Sequence, residues 1–180
     1  MDTRTLVRIA LIAALIAALG FVPPLYMPLA AGVPITAQSL GVMLAGLLLG
    51  ARAGAAAVAL FVFVVLLGAP LLSGGRGGLG ILGGPTAGFL IGYIAGAYVV
   101  GLLAERLRLP AFASAFVACV AGGIGVVYLF GIPVLGAVAG IGPMVGAAVF
   151  LPGDLIKAVG ASVLVTTVLR NWSVAAQPRP

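Results

Sequence analysis

The sequence predicts an all-α membrane protein: one bundle of six transmembrane helices, with long Gly/Pro-rich outer connections and both termini cytoplasmic. Three observations carry this expectation. Of 180 residues, 63% are hydrophobic and 7% charged, with a mean hydropathy of +1.35, whereas soluble domains carry about a quarter charged residues. The apolar residues fall into segments near the ~20 needed to cross ~30 Å of hydrocarbon. The cations gather in alternate connections, the pattern of a cytoplasmic face. These segments take up nearly all of residues 1–180 as a single domain and leave little for a soluble one.

The expected spans are Leu6–Phe21, Thr36–Leu49, Gly54–Pro70, Pro85–Leu107, Pro110–Phe130 and Pro152–Arg170. Arg4 and Arg8 before the first also fit a signal peptide, but with further spans following, it is read as a retained helix. The second and third are short and meet at Gly50-Ala51-Arg52-Ala53-Gly54, a tight turn suited to an antiparallel hairpin. Gly131–Leu151, broken by Gly136, Gly140, Gly142, Pro143 and Gly146, reads as an extension of helix five, then a loop and a short helix packed on protein.

Six spans place Arg4, Arg8, Arg52, Arg106, Arg108, Arg170 and Arg179 on one side, hence a multi-pass protein of the plasma membrane with that side inside. Val22–Ile35, Leu71–Gly84 and Gly131–Leu151 become long outer connections, a length that marks functional or disordered segments. The net charge of +6 would suggest nucleic acid in a soluble protein. Here the cations are scattered between apolar runs without interleaved aromatics, and nucleic acid is excluded as a partner.

Two cations fall outside this scheme. Arg76 lies in the second outer connection, and Lys157 lies near the outer end of span six, three residues after Asp154 and on the same helix face. Asp154 complements the positive end of the helix dipole, whereas Lys157 opposes it and needs either Asp154 or an anionic ligand. Ionisable groups inside a membrane are costly and mark substrate pathways. The plainer alternative is a structural pair, and for Arg76 an exposed loop charge. Small residues recur at four-residue spacing as Ala10, Ala14, Ala18 and as Gly88, Gly92, Gly96. The glycines read as packing within the bundle; the alanines leave either packing or a flat face for another subunit. Phe89 and Tyr93, also four apart, read as core, though Tyr93 offers a hydroxyl.

Several chemistries are absent. The chain has no histidine, three acidic residues and one cysteine, Cys119, so no catalytic constellation, internal disulfide or cysteine-rich metal site can be assembled. The glycine-rich stretch Gly74–Gly84 lacks the GxxxxGK pattern of a nucleotide-binding loop. Energy for active transport must come from partners or an ion gradient.

Four runs carry a family resemblance: Val33-Pro34-Ile35-Thr36-Ala37-Gln38-Ser39-Leu40-Gly41-Val42, Gly74-Gly75-Arg76-Gly77-Gly78-Leu79-Gly80, Gly84-Pro85-Thr86-Ala87-Gly88-Phe89 and Phe150-Leu151-Pro152-Gly153-Asp154-Leu155-Ile156-Lys157-Ala158. In this order and over nearly the whole chain they resemble the BioY family, the biotin-binding S subunits of energy-coupling factor (ECF) transporters. Ala87 departs from the glycine found in many relatives. The resemblance implies a six-helix bundle that binds biotin from outside, with no cofactor. It also implies a membrane coupling subunit and two ABC-type ATPases as partners. In the family the Asp and Lys of the last run contact biotin, which maps onto Asp154 and Lys157, and alanines spaced as Ala10, Ala14 and Ala18 dock the coupling subunit.

Biotin has a carboxylate, a ureido ring with two N–H donors and one carbonyl, and an apolar thioether ring. An ionised Asp154 accepts and Lys157 donates, so Asp154 suits a ureido N–H and Lys157 the carboxylate or the ureido carbonyl. Arg76 suits a bidentate clamp on the carboxylate. Gln38 and Thr36 either complete the polar end or cap their helix. The competing functions are an S component for riboflavin or thiamin, and an ion-coupled carrier using Asp154.

Overall fold

The computed structural model describes residues 2–26 and 33–175, the last seven of these as helix backbone. Helix α1 (Thr3–Leu19) begins at Asp2, whose carboxylate accepts the Thr5 N–H at 3.0 Å. Hydrogen bonds from the Thr5 side chain and backbone hold the Asp2 carboxyl below its ordinary pKa. Ile9, Ala13 and Ile16 are the buried residues of α1, an i, i+4, i+7 stripe facing the bundle. Ala10, Ala14 and Ala18 are exposed on the other side, so the bundle of this chain does not use them for packing.

The connection after α1 contains a short antiparallel ribbon, β1 (Leu25–Tyr26) with β2 (Pro34–Ile35), pairing Leu25 with Ile35 and Tyr26 with Pro34. Its composition had suggested loop alone, because two-residue strands leave no alternating pattern. Part of that connection, 27–32, lies outside the described residues, as does Arg179.

Helix α2 (Gln38–Leu66) is interrupted at Gly50, which adopts φ 78° and ψ −178°. The chain reverses there. A Cβ on Gly54 would lie 2.6 Å from the Ala45 carbonyl oxygen and 2.9 Å from the Gly46 Cα, whereas residues nine apart in a straight helix are separated by roughly 13 Å. The expected hairpin between two apolar segments is therefore present. Its two arms, 38–49 and 51–66, touch backbone to backbone because Gly54 has no side chain. The left-handed φ at position 50 is one that glycine adopts at little cost. The reversal exposes the first N–H groups of the second arm, and Glu105 accepts the Ala51 N–H at 3.0 Å, as expected for an acid at a helix start.

Beyond α2, Leu72 and Arg76 pair across a tight hairpin through Gly74 and Gly75, at φ 82° and 71°, and Leu79–Gly83 forms a 3₁₀ turn. Helix α3 (Ala87–Arg106) follows, then α4 (Ala111–Ala118), a π-helical stretch (Cys119–Val126) and α5 (Val127–Ala139). Gly140 ends α5 at φ 94°. The short α6 (Ile141–Gly146) and a 3₁₀ turn (Ala147–Phe150) lead into α7 (Leu151–Ala175). The extension of helix five and the short helix are as expected, but the expected loop between them is the single residue Gly140, and α6 buries none of its residues.

Among the described residues, four helical stretches are long and apolar enough to cross a membrane: Gln38–Leu66, Ala87–Arg106, Ala111–Ala139 and Ile141–Val168. Many large apolar side chains point away from the bundle, including Leu11, Phe63, Ile91, Leu129 and Ile156. An exposed apolar surface of this extent belongs in lipid. Gly88, Gly92 and Gly96 are buried and lie against α5 and the π-helical stretch, as expected of a small-residue face. Arg4, Arg8, Arg52, Arg106 and Arg108 lie at one end of the bundle, at the start of α1, the α2 reversal and the close of α3.

The packing predicts a contrast between two glycines. A Cβ on Gly96 would stand 2.8 Å from both the Gly122 oxygen and the Val127 Cγ2, whereas a Cβ on Gly160 meets nothing within 4 Å. Gly96→Leu is expected to destabilise by about 1–3 kcal/mol through overpacking. Gly160→Ala is expected to be neutral or stabilising by up to about 1 kcal/mol through helix propensity. Thermal unfolding in detergent reads both, and equal melting temperatures for Gly96→Leu and the parent would refute the close approach.

Candidate functional site

At the end of the bundle opposite the arginine cluster lies a cavity of about 60 Å³. Its roof comes from β2 and Thr36 on one side and from the Leu72–Arg76 hairpin on the other. Its walls are Gln38 and Ser39 at the start of α2, Phe89, Leu90 and Tyr93 on α3, Gly123, Val127 and Tyr128 from the π-helical stretch into α5, and Phe150. Phe89 and Phe150 meet edge to face, with centroids 6.1 Å apart and planes at 80°, giving the cavity an apolar aromatic wall. Asp154 and Lys157 close it from the first turns of α7.

The polar chemistry centres on Asp154. Its Oδ1 accepts from Lys157 Nζ at 2.8 Å and from the Ser39 hydroxyl at 3.1 Å, and its Oδ2 accepts from the Tyr128 hydroxyl at 2.8 Å. Lys157 Nζ also donates to Ser39 Oγ at 2.9 Å. Lys157 and Asp154 are 16% and 10% exposed, a level at which a charge is tolerated only with a partner and further hydrogen bonds. Three helical elements supply them: α2 gives Ser39, α5 gives Tyr128 and α7 gives the ion pair.

Lone pairs and protons can be counted. Each carboxylate oxygen accepts two hydrogen bonds and an ammonium donates three. The pair therefore retains one acceptor site, on Oδ2, and one donor, on Nζ, for a ligand in the cavity. A neighbouring donor and acceptor match the N–H and C=O edge of an amide or urea.

Gln38 lines the same cavity but its amide is occupied. Its Nε2 donates to the carbonyls of Leu71 and Ile16 at 3.0 and 3.3 Å, and its Oε1 accepts from the Ser73 N–H and hydroxyl at 3.1 and 3.3 Å. It ties α1 and the roof hairpin to α2. Arg76 is half-buried and donates through Nε to the Ser73 carbonyl at 3.3 Å, and its guanidinium forms no ion pair among the described residues. Thr36 and Tyr93 line the cavity as well. All six residues singled out from the sequence thus come to one place. Ser39 and Tyr128 were missed. Ser39 sat inside a recognised run, and Tyr128 was marked only by a hydroxyl in an apolar segment.

The model of the BioY family matches residues 1–174. The chain belongs to the BioY family. It is 53% identical to a biotin transporter BioY from Rhizobium etli, with 96% of each chain covered. It is 48% identical to one from Rhodobacter capsulatus over 92% of this chain and 93% of the relative. Among solved structures it resembles the S-component for biotin from an ECF-type ABC transporter, with a TM-score of 0.86, 29% identity, and 94% and 95% of the two chains covered. The resemblance drawn from the four sequence runs is thereby borne out. In BioY terms, the run from Phe150 to Ala158 delivers the ion pair, the run from Val33 to Val42 delivers Ser39 and part of the roof, and the glycine-rich run delivers Arg76.

The ion pair sets a stability expectation for the ligand-free protein. Lys157→Met leaves a buried carboxylate without its counter-charge and is expected to cost about 3–5 kcal/mol. The double change Asp154→Asn/Lys157→Met removes both charges and is expected to restore most of that loss. A double-mutant cycle by thermal unfolding in detergent checks this; strictly additive effects would show that the pair contributes no coupling.

Proposed function

We propose that this protein is the high-affinity biotin-binding S component of an ECF-type transporter and mediates biotin uptake across the plasma membrane. The observation that carries the reading is the Asp154–Lys157 pair, held by Ser39 and Tyr128 at the end of an apolar aromatic cavity. Its remaining donor and acceptor suit a ureido N–H and carbonyl, Phe89 and Phe150 suit the thioether ring, and Arg76 suits the carboxylate at the roof. Relatives at 53% and 48% identity named as biotin transporters support the same ligand. An ion-coupled carrier fits less well, because Lys157 already neutralises Asp154.

The proposed topology has six spans. Helix α1, the two arms of α2, α3, the continuous α4–α5 and α7 supply them, with α6 packed at the outer end. The arginine cluster supports cytoplasmic termini, which puts the cavity on the outer side under the two roof connections. The cavity is partly open, and biotin would enter it between the two roof connections. The exposed Ala10, Ala14 and Ala18 present a shallow helix face, suited to close approach of a coupling-subunit helix. The chain carries no nucleotide-binding loop of its own, so two ABC-type ATPases bound through that subunit would supply the energy.

Calorimetric titration of the purified protein is expected to show saturable biotin binding. In Arg76→Ala the dissociation rate is expected to rise more than the association rate falls, as for a contact formed on closure. A response to riboflavin or thiamin in place of biotin would reject the ligand, and unchanged kinetics would remove Arg76 from the site.

Ala14→Trp separates binding from coupling. Bulk on an exposed face of α1 is expected to abolish co-purification with the coupling subunit and ATP-dependent uptake while biotin affinity persists. Retained assembly would reject the docking face.

A further inference from the structure

The bundle carries a second cavity, of about 440 Å³, at the end remote from the ion pair. It lies between the Gly50 reversal of α2 and the last turns of α3, and its walls include Leu49, Arg52, Tyr98, Leu102, Glu105 and Arg106. We propose that this groove binds an anionic phospholipid, with the phosphate between Arg52 and Arg106 and an acyl chain along Leu102 and Tyr98.

Charge is the first argument. Among the described residues, Arg52 and Arg106 form no ion pair. The acid in the groove, Glu105, is engaged through Oε1 with the Ala51 N–H at 3.0 Å, which holds its charge against the start of the second α2 arm. The recess therefore holds two guanidiniums against one carboxylate, a net positive charge with neither guanidinium paired among the described residues. A planar guanidinium is matched to phosphate oxygens.

The second argument is the shape of the wall. Tyr98, Leu102 and Arg106 recur every four residues along one face of α3, a stripe of roughly 12 Å at 1.5 Å rise per residue. Arg106 stands at the helix end and Tyr98 two turns towards the middle of an apolar 20-residue span. The recess thus runs from a cationic mouth into hydrocarbon depth. A free phosphate would use the mouth and leave the apolar floor unmatched. A lipid uses both, and basic pockets between transmembrane helices are where such headgroups bind.

Native mass spectrometry of the purified protein tests this, using phosphatidylglycerol and phosphatidylcholine of matched chains. Phosphatidylglycerol is expected to be retained and phosphatidylcholine to be lost. Each cation near a headgroup contributes about a factor of five, so Arg52→Gln/Arg106→Gln is expected to weaken phosphatidylglycerol retention by about 25-fold. Arg108→Gln, outside the groove, is expected to leave it unchanged. Biotin binding at the far end of the bundle reports that each variant is folded. Equal retention of the two lipids by the unsubstituted protein would overturn the proposal without any variant. Unaltered retention in a folded double variant would overturn it too, as would displacement of the lipid by equimolar inorganic phosphate. If the double variant keeps its lipid but loses co-purification with the coupling subunit, the groove belongs to a protein partner.

Discussion

Backbone contact between helices is the constraint on which the rest of this structure depends. Lipid tails are as apolar as the helices themselves, so association rests on close packing and interhelical hydrogen bonds rather than on the expulsion of water. Gly54 brings the two arms of α2 together, and Gly92 and Gly96 seat α3 against Val127 and Gly122. These contacts set the two arms of α2 and the approach of α3 to α5, while α7 packs against α2 and α4. Ser39 of α2, Tyr128 of α5 and Asp154 of α7 meet within hydrogen-bonding distance.

The site has its own balance of forces. A lone charge in this surrounding would be costly, whereas Asp154 is met by an ammonium and two hydroxyls. The arrangement leaves each charged group with limited remaining capacity. On the proposed reading a ligand would add to an existing network, and selectivity would arise from one donor and one acceptor at fixed positions set in an apolar wall. An analogue lacking the matching groups would leave buried polar atoms unpaired.

Much of this was legible in the sequence. The hairpin at Gly50 followed from two short apolar runs meeting at a glycine-flanked arginine, and Asp154 and Lys157 followed from the rarity of charge in such a chain. The outward placement of Ala10, Ala14 and Ala18 was left open, because small residues pack equally well inside a bundle or against another protein; the burial of Ile9, Ala13 and Ile16 decides which way α1 faces. Tyr128 was hidden because an aromatic in an apolar run has no periodicity that points it at a carboxylate. The π-helical stretch was hidden for a related reason. Within it Gly122 and Gly123 lie against Val100 and Met43, contacts distant in sequence.

Gln38 has a consequence for how the two ends of the molecule communicate. One amide holds the carbonyl of Ile16 in α1, the carbonyl of Leu71 and the backbone of Ser73 beside the roof. Any shift of the roof on ligand binding would pull on the same side chain that anchors α1. Any protein grasping the outer face of α1 then shares a free-energy cycle with the ligand. By reciprocity, whatever capture of the vitamin does to that grip, the grip does equally to the vitamin, and release into the cell becomes a matter of which of the two lets go first.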